Sequence, residues 1–326
     1  MPRDYDVITI GETTIDAFMK IHDTNRKIHL DATSGEVKFR LGDKINVEKY
    51  EFCLGGNATN VAVGLTRLGL KTTLCTEIGD DEFSIKIRNN LARENIERLF
   101  VKQTKNAPSN FSVILSFKDD RTIFVEDVVR EHDFKLDEAN AKYIYLTSLG
   151  KEWEGTYRMS LKFAIDKNCK IAFNPGHLQL ADDLEIVHKV LQKSEILFLN
   201  KEEGEMILLN HYKRKIDNSE HYIKNLCEEL QKLGPHIVVV TNGKHGSSAL
   251  DASGKFYTQD LYPGKVVERT GAGDAYGSGF LAAIIHGFNM EAAMKWGAIN
   301  AASVVGQVGA EAGLLTKSQM DESYKS

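Results

Sequence analysis

Short apolar, β-branched runs separated by helix-patterned stretches recur along this chain, and that alternation constrains its fold more than any other feature. "DVITIG" (6–11), "KTTLCTEIG" (71–79), "KYIYLTSL" (142–149), "KIAFNPG" (170–176), "EILFLN" (195–200) and "HIVVVTNG" (236–243) read as strands. "ATNVAVGLTRLG" (58–69) reads as a helix ended by Gly69. "DDEFSIKIRNNLARENI" (80–96) reads as another, with acids in its first turn where the helix dipole is positive. Two glycine-rich helices follow near 274–286 and 290–305. Strands that are apolar throughout are covered on both faces. The pattern therefore predicts an α/β fold with a mostly parallel central sheet between helical layers.

Two stretches depart from this rhythm. Residues 17–54 alternate like strands with turns, and "FSVILSFKDDRTIFVED" (111–127) reads as a hairpin around "KDD". We expect these pieces, approximately 17–54 and 108–130, to form a small antiparallel β-sheet lid on a single domain spanning 1–326. "HYKRKIDNSEHY" (211–222) reads as a solvated surface segment.

Composition narrows the partners. The net charge of −5 argues against a nucleic-acid or anionic-membrane surface. Cys53, Cys75, Cys169 and Cys227 form no C-x-x-C pair, so metal and redox motifs are absent and reduced, buried thiols are expected. That suits a cytoplasmic protein. The first residues lead straight into a strand without the apolar region of a signal peptide, and no apolar run is long enough to span a membrane.

"RTGAGDAYGSGF" (269–280) places a carboxylate directly behind a glycine-rich turn. Gly271, Ala272 and Gly273 would present backbone N–H groups at a helix start, where orphan donors and the dipole bind anions. Gly277, Ser278 and Gly279 keep the helix slim, which implies close packing or close ligand approach. Two readings of Asp274 follow: a helix cap, or a base beside a bound phosphate. A dinucleotide fingerprint is disfavoured, because the spacing is G-x-G-x-x-x-G and an acid stands where pyrophosphate would come. The G-K-[ST] of a Walker A loop is missing.

Together with "LGGNATNVAVGLTRLG" (54–69), this stretch resembles the two signatures of the ribokinase-like carbohydrate kinases, the PfkB family. "LNKEEGEMI" (199–207), "TNGKHGS" (241–247) and "INAASVVGQVGA" (299–310) resemble the family's intervening and closing elements, in the family's order. The resemblance covers nearly the whole chain and implies a three-layer α/β/α ribokinase-like sandwich with a lid. It further implies an ATP- and Mg²⁺-dependent kinase acting on a sugar hydroxyl. Asp274 would be the base, with Gly271, Ala272 and Gly273 as the anion hole. Asn200 would serve the phosphates and Glu203 the Mg²⁺, whereas their spacing alone reads better as a capping box. Thr241, Gly243, Gly246 and Asn300 would line the nucleotide. Asp16, Gly55, Gly56, Asn57 and Asn60 would approach the sugar. A helix N-terminus is expected to depress the pKa of Asp274, which weakens it as a base in the ground state.

The chain departs from the family at "ERT", where Glu268 and Arg269 replace the first two residues of an Asp-Thr-Thr pattern. Monovalent-cation dependence is therefore not carried over, and Arg269 is a candidate cation for the γ-phosphate. "FNPGH" (173–177) departs from an Asp-x-Asn pattern. A plain sugar is the expected acceptor, since carboxylate and amide groups suit vicinal hydroxyls. A nucleoside is the alternative and would need an aromatic slot, for which Phe18, Phe39, Phe111 and Phe124 are available. Lys38, Arg40, Lys44, Arg121 and Arg130 would serve a phosphorylated sugar, although Glu126, Asp127 and Glu131 crowd the second lid piece. A non-catalytic binding regulator on the same fold is a further alternative, against which the retained Asp274 argues. The resemblance also implies lid strands that pair between subunits, and the exposed edges of the 17–54 piece fit the homodimer this predicts.

Overall fold

The computed structural model describes residues 2–325 except 32, 119, 127, 182–183, 212 and 214–220. Asp119 of the expected hairpin turn, Asp127, and most of the 211–222 run lie outside the described residues.

The strands are β1 (Arg3–Ile10), β2 (Thr14–Ile21), β3 (Ile28–Leu30), β4 (Val37–Phe39), β5 (Val47–Gly55), β6 (Thr72–Ile78), β7 (Val101–Gln103), β8 (Asn110–Phe117), β9 (Asp120–Val125), β10 (Ala139–Leu146), β11 (Lys170–Phe173), β12 (Ser194–Asn200), β13 (Ile237–Thr241), β14 (Ser247–Leu250) and β15 (Phe256–Gln259). The helices are α1 (Asn57–Arg67), α2 (Glu82–Arg93), α3 (Glu154–Asp166), α4 (His177–Ala181), α5 (Leu184–Leu191), α6 (Lys201–Met206), α7 (Tyr222–Gln231), α8 (Ala272–Ile285), α9 (Met290–Val305) and α10 (Lys317–Lys325).

Nine strands form the main sheet in the order β15-β14-β13-β12-β11-β10-β1-β6-β7. It is parallel except for β14 and β15, which pair antiparallel at one edge. The period of two explains its two cores. Val7, Tyr145, Ile196, Phe198 and Val239 point to one face, where α1, α8 and α9 bring Val61, Leu65, Phe280 and Trp296. Ile8, Ile144, Leu197, Leu199, Val238 and Val240 point to the other, under α3, α5 and α7 with Tyr157, Val190 and Leu226. Three layers result, as the unbroken apolar runs require.

A second sheet has the order β5-β2-β8-β9. It differs from the fully antiparallel sheet expected, because β2 and β8 run parallel with Asp16 opposite Ser112. The chain between them carries α1, β6, α2 and β7, and so long a crossover permits parallel pairing. The sheet also takes in Thr14–Ile21, so Asp16 lies within a strand and not at a turn.

Candidate active site

The candidate groups converge on the carboxyl ends of the main strands, the usual ligand side of a doubly wound sheet. Asn200 and Thr241 end neighbouring strands β12 and β13. The second sheet stands beside the same end through β2, which leaves β1 after a short turn.

The start of α8 decides between the readings of Asp274. Its N-cap is Gly271, with φ 79°, a conformation that costs an L-residue but not glycine. Asp274 is therefore the third helical residue, and no side chain caps this helix. Its carboxylate turns instead to α1, where Asn60 Nδ2 donates to Oδ2 at 2.8 Å. Asn60, expected near the sugar, thus has its amide on the acid. A Cβ added at Gly273 would meet nothing within 4 Å, so the backbone at the helix start faces open space. Gly277 and Gly279 serve packing: a side chain there would strike the Tyr145 hydroxyl or the Trp296 backbone.

Asp274 is 7% exposed, and Asp16 is 6% exposed. Burial lifts the Asp274 pKa to about 7; the Asn60 hydrogen bond opposes the shift and the charges of Glu203 and Asp16 add to it. Desolvation thus outweighs the helix dipole, which reverses the expected depression. Asp16 is likewise lifted to about 7, chiefly by burial, against a hydrogen bond from Ser112 and with a contribution from Glu268. Gly55 packs so closely on the Asp16 carboxylate that a side chain there would overlap it. Gly56, with φ 92°, precedes α1, and Asn57 is the first helical residue and does not cap it.

Asn200 and Glu203 form a complete capping box. Glu203 N donates to Asn200 Oδ1 at 2.8 Å, and Asn200 N donates to Glu203 Oε2 at 2.9 Å. Burial raises the Glu203 pKa, partly offset by the bond from the Asn200 backbone. Thr241 Oγ1 sits 3.5 Å from the Leu199 carbonyl. Gly243 is open to solvent, whereas Gly246 is pressed against the backbone of Gln259. Asn300, expected to line the nucleotide, is engaged within the fold. It is fully buried, its Nδ2 donates to Ala275 O and Ser278 Oγ, and its Oδ1 accepts from Leu315 N. The amide thus ties α9 to α8 and to the segment that follows α9. Arg269 is exposed.

Sequence reasoning missed Ser112, whose strand register beside Asp16 could have been read only with the parallel pairing in hand. It also missed Tyr145, a fully buried hydroxyl beneath Gly277 whose pKa is raised by burial and by the charges of Asp274 and Glu203.

A buried acid with a partly raised pKa, beside an uncapped helix start, suits proton acceptance next to a transferred phosphoryl group. The profile of the pfkB family carbohydrate kinases matches residues 17–317, and the chain belongs to that family. The protein is thus a carbohydrate kinase, a phosphotransferase acting on a sugar hydroxyl. It is 25% identical over 321 residues to a 5-dehydro-2-deoxygluconokinase of Clostridium perfringens, covering 93% of this chain and 88% of that one. Among solved structures, Arabidopsis thaliana ribokinase complexed with ribose and ATP superposes with a TM-score of 0.77 at 18% identity, covering 99% of this chain and 100% of the other. Methanocaldococcus jannaschii nucleoside kinase gives 0.76 at 23% identity, covering 98% of each chain. Those two likenesses establish the ribokinase fold. No helix among the described residues is long and apolar enough to cross a membrane.

Proposed function

We propose that the protein transfers the γ-phosphoryl group of ATP to a hydroxyl of a small sugar or sugar acid, with Asp274 as the base. One observation carries this reading: the buried Asn60–Asp274 pair faces an α8 start that has no cap of its own. Asn60 holds Oδ2 and leaves Oδ1 for the proton of the acceptor hydroxyl. The hydroxyl oxygen bonds to the γ-phosphorus, the bond from phosphorus to the bridging oxygen of ADP breaks, and the proton passes to Asp274. The backbone N–H groups of Gly271, Ala272 and Gly273 receive the charge on the transferred group. Asp16, with Gly55, Gly56 and Asn57, holds the acceptor's other hydroxyls.

Thr241, Gly243 and Gly246 border the nucleotide, and Asn200 adjoins its phosphates. Among the described residues no group of three or more acidic, histidine or cysteine side chains could cage a metal. Glu203 would hold Mg²⁺, which would neutralise phosphate charge there.

The four aromatics named for a nucleoside slot do not gather on one face. Phe111 stacks on Phe83 of α2, with ring centroids 5.4 Å apart. Phe124 pairs across the sheet with Val113, on the face turned away from Asp16 and Ser112. Phe18 alone of the four shares the face of Asp16 within the second sheet. That outer face carries a row Phe52–Ala17–Val113–Phe124, with Tyr50 beside it, and Tyr50 is 68% exposed. It is the surface we assign to a homodimer through the lid; a monomer mass in solution at micromolar concentration would remove that assignment.

The test is ADP release from Mg-ATP with 5-dehydro-2-deoxygluconate, plain sugars, sugar phosphates and nucleosides. Acceptor-dependent release, lost in Asp274→Asn, is the expected result. Release with nucleosides alone would move the acceptor to that class, and failure to bind ATP would end the kinase assignment of this site.

A further inference from the structure

We propose that Arg121 and Glu268 form a latch that holds the lid sheet over the phosphate turn, making Arg121 a positioning residue for the acceptor. The proposal rests on the kinase reading above.

Register places Arg121 on the working face of the lid. Arg121 pairs with Ser116 on β8, and Ser112 on the same strand pairs with Asp16. Positions 112 and 116 share a face, so Arg121 and Asp16 do too. The same face meets the main body where Cys53, opposite Asp16, packs over Gly309.

Glu268 is the body's half. It stands three residues before Gly271, and its side chain is only 8% exposed. Both its oxygens accept from Thr270 N at 2.9 Å, and Oε1 also accepts from Thr270 Oγ1 at 2.7 Å. The carboxylate is thus tied to the residue that opens the anion turn. Arg121 Nε lies 3.4 Å from Glu268 Oε1.

The charges explain why the contact is more than a surface pair. Glu268 is close enough to Asp16 to raise its pKa, and Asp16 in turn acts on Asp274. A third, largely enclosed carboxylate in that neighbourhood is costly unless a cation accompanies it. The cation is Arg121, and it comes from the outermost lid strand, so the compensation exists only with the lid down. Closing the lid over an acceptor and settling the phosphate turn are then one event. An acceptor too bulky to leave the two groups in contact loses both, so the pair also selects for small acceptors.

The test uses Arg121→Ala, Glu268→Gln, their double variant and Arg121→Lys in the full chain, assayed with Mg-ATP and the acceptor from the panel. Glu268→Gln keeps an oxygen for Thr270 while removing the charge. Each single change is expected to raise acceptor KM about threefold to fivefold, the scale of one partly exposed ion pair, with ATP KM within about twofold. The double variant should be no worse than the poorer single, and Arg121→Lys should recover most of the loss. Multiplying effects, or a silent Glu268→Gln beside an impaired Arg121→Ala, would overturn the latch. Hydrogen exchange of the ligand-free protein decides independently of acceptor and activity. Segments 120–125 and 266–271 should exchange faster together in either single variant, and unchanged exchange in both would also overturn it. If the native protein phosphorylates no acceptor, the kinase reading fails while exchange still decides the latch.

Discussion

Two helix starts in this protein face the same end of the sheet and are built in opposite ways. The first turn of α6 is closed by its own side chains, since Asn200 and Glu203 satisfy each other's backbone donors. The first turn of α8 has a left-handed glycine for a cap, no side-chain acceptor, and open space over Gly273. Every helix leaves orphan N–H groups at its start. At α6 the side chains of the turn itself satisfy two of them, whereas at α8 no side chain does and only Ala272 N is taken, by the Arg269 carbonyl. An acid near a helix start therefore means different things at the two places: Glu203 belongs to a cap, and Asp274 is turned away to Asn60.

The sharpest way to break this contrast is Asp274→Asn. As the proposed base, its loss should lower kcat about 10²–10⁴-fold. Stability should move the other way. The folded pKa of about 7 lies above the ordinary carboxylate value of 3.8, so ionised Asp274 opposes folding. That penalty is absent below about pH 4, grows between about pH 4 and 7, and is complete above. Asp274→Asn should thus melt higher than the native protein at pH 8 and equally near pH 4. Equal melting at both would mean that the carboxylate is solvated, and the comparison with Glu203 would collapse.

Gly273→Ala tests the open helix start itself. Nothing obstructs the added methyl, and alanine suits a helix better than glycine, so stability should hold or rise by up to about 1 kcal/mol. With the turn as the proposed anion hole, turnover should fall about a hundredfold, because the methyl would stand in the space left for the phosphoryl group. Unchanged turnover with full stability would leave the turn without a ligand.

A smaller effect comes from Asn60. Its hydrogen bond holds the Asp274 pKa below what burial alone would impose. With an ionised base required, kcat/KM of the native enzyme should rise with pH through about 7. Asn60→Ala should move that acid limb upward, with the high-pH plateau less affected than the value at pH 6. A limb that stays in place would detach Asn60 from the base.

Much of the fold was legible because it rests on local pattern. The turn at Gly69, the acidic start at Asp81 and the helices from 272 to 305 all fall where periodicity and punctuation put them. The parallel pairing of β2 with β8 was not legible, since it joins strands nearly a hundred residues apart. Nor was the sign of the Asp274 shift, because depth of burial belongs to the assembled layers and only the dipole can be read from the helix start. Asn300 shows the same limit: its amide bonds to Ala275 O and Leu315 N, partners that no local pattern on its own helix names.

Asn200→Ala probes the closed start and carries the smallest effect. Removing an N-cap acceptor costs about 1 kcal/mol, read as a lower denaturation midpoint with unchanged slope. Glu203 would keep its bond from the Asn200 backbone, so the box should be halved rather than abolished. The loss should fall mainly on stability, with ATP KM rising no more than a few-fold, the reverse of Gly273→Ala. A rise in ATP KM above about tenfold, with little loss of stability, would show that the Asn200 amide leaves its cap for the nucleotide. The two helix starts would then differ only while the site is empty, and α6 would open its first turn on binding as α8 already does without a ligand.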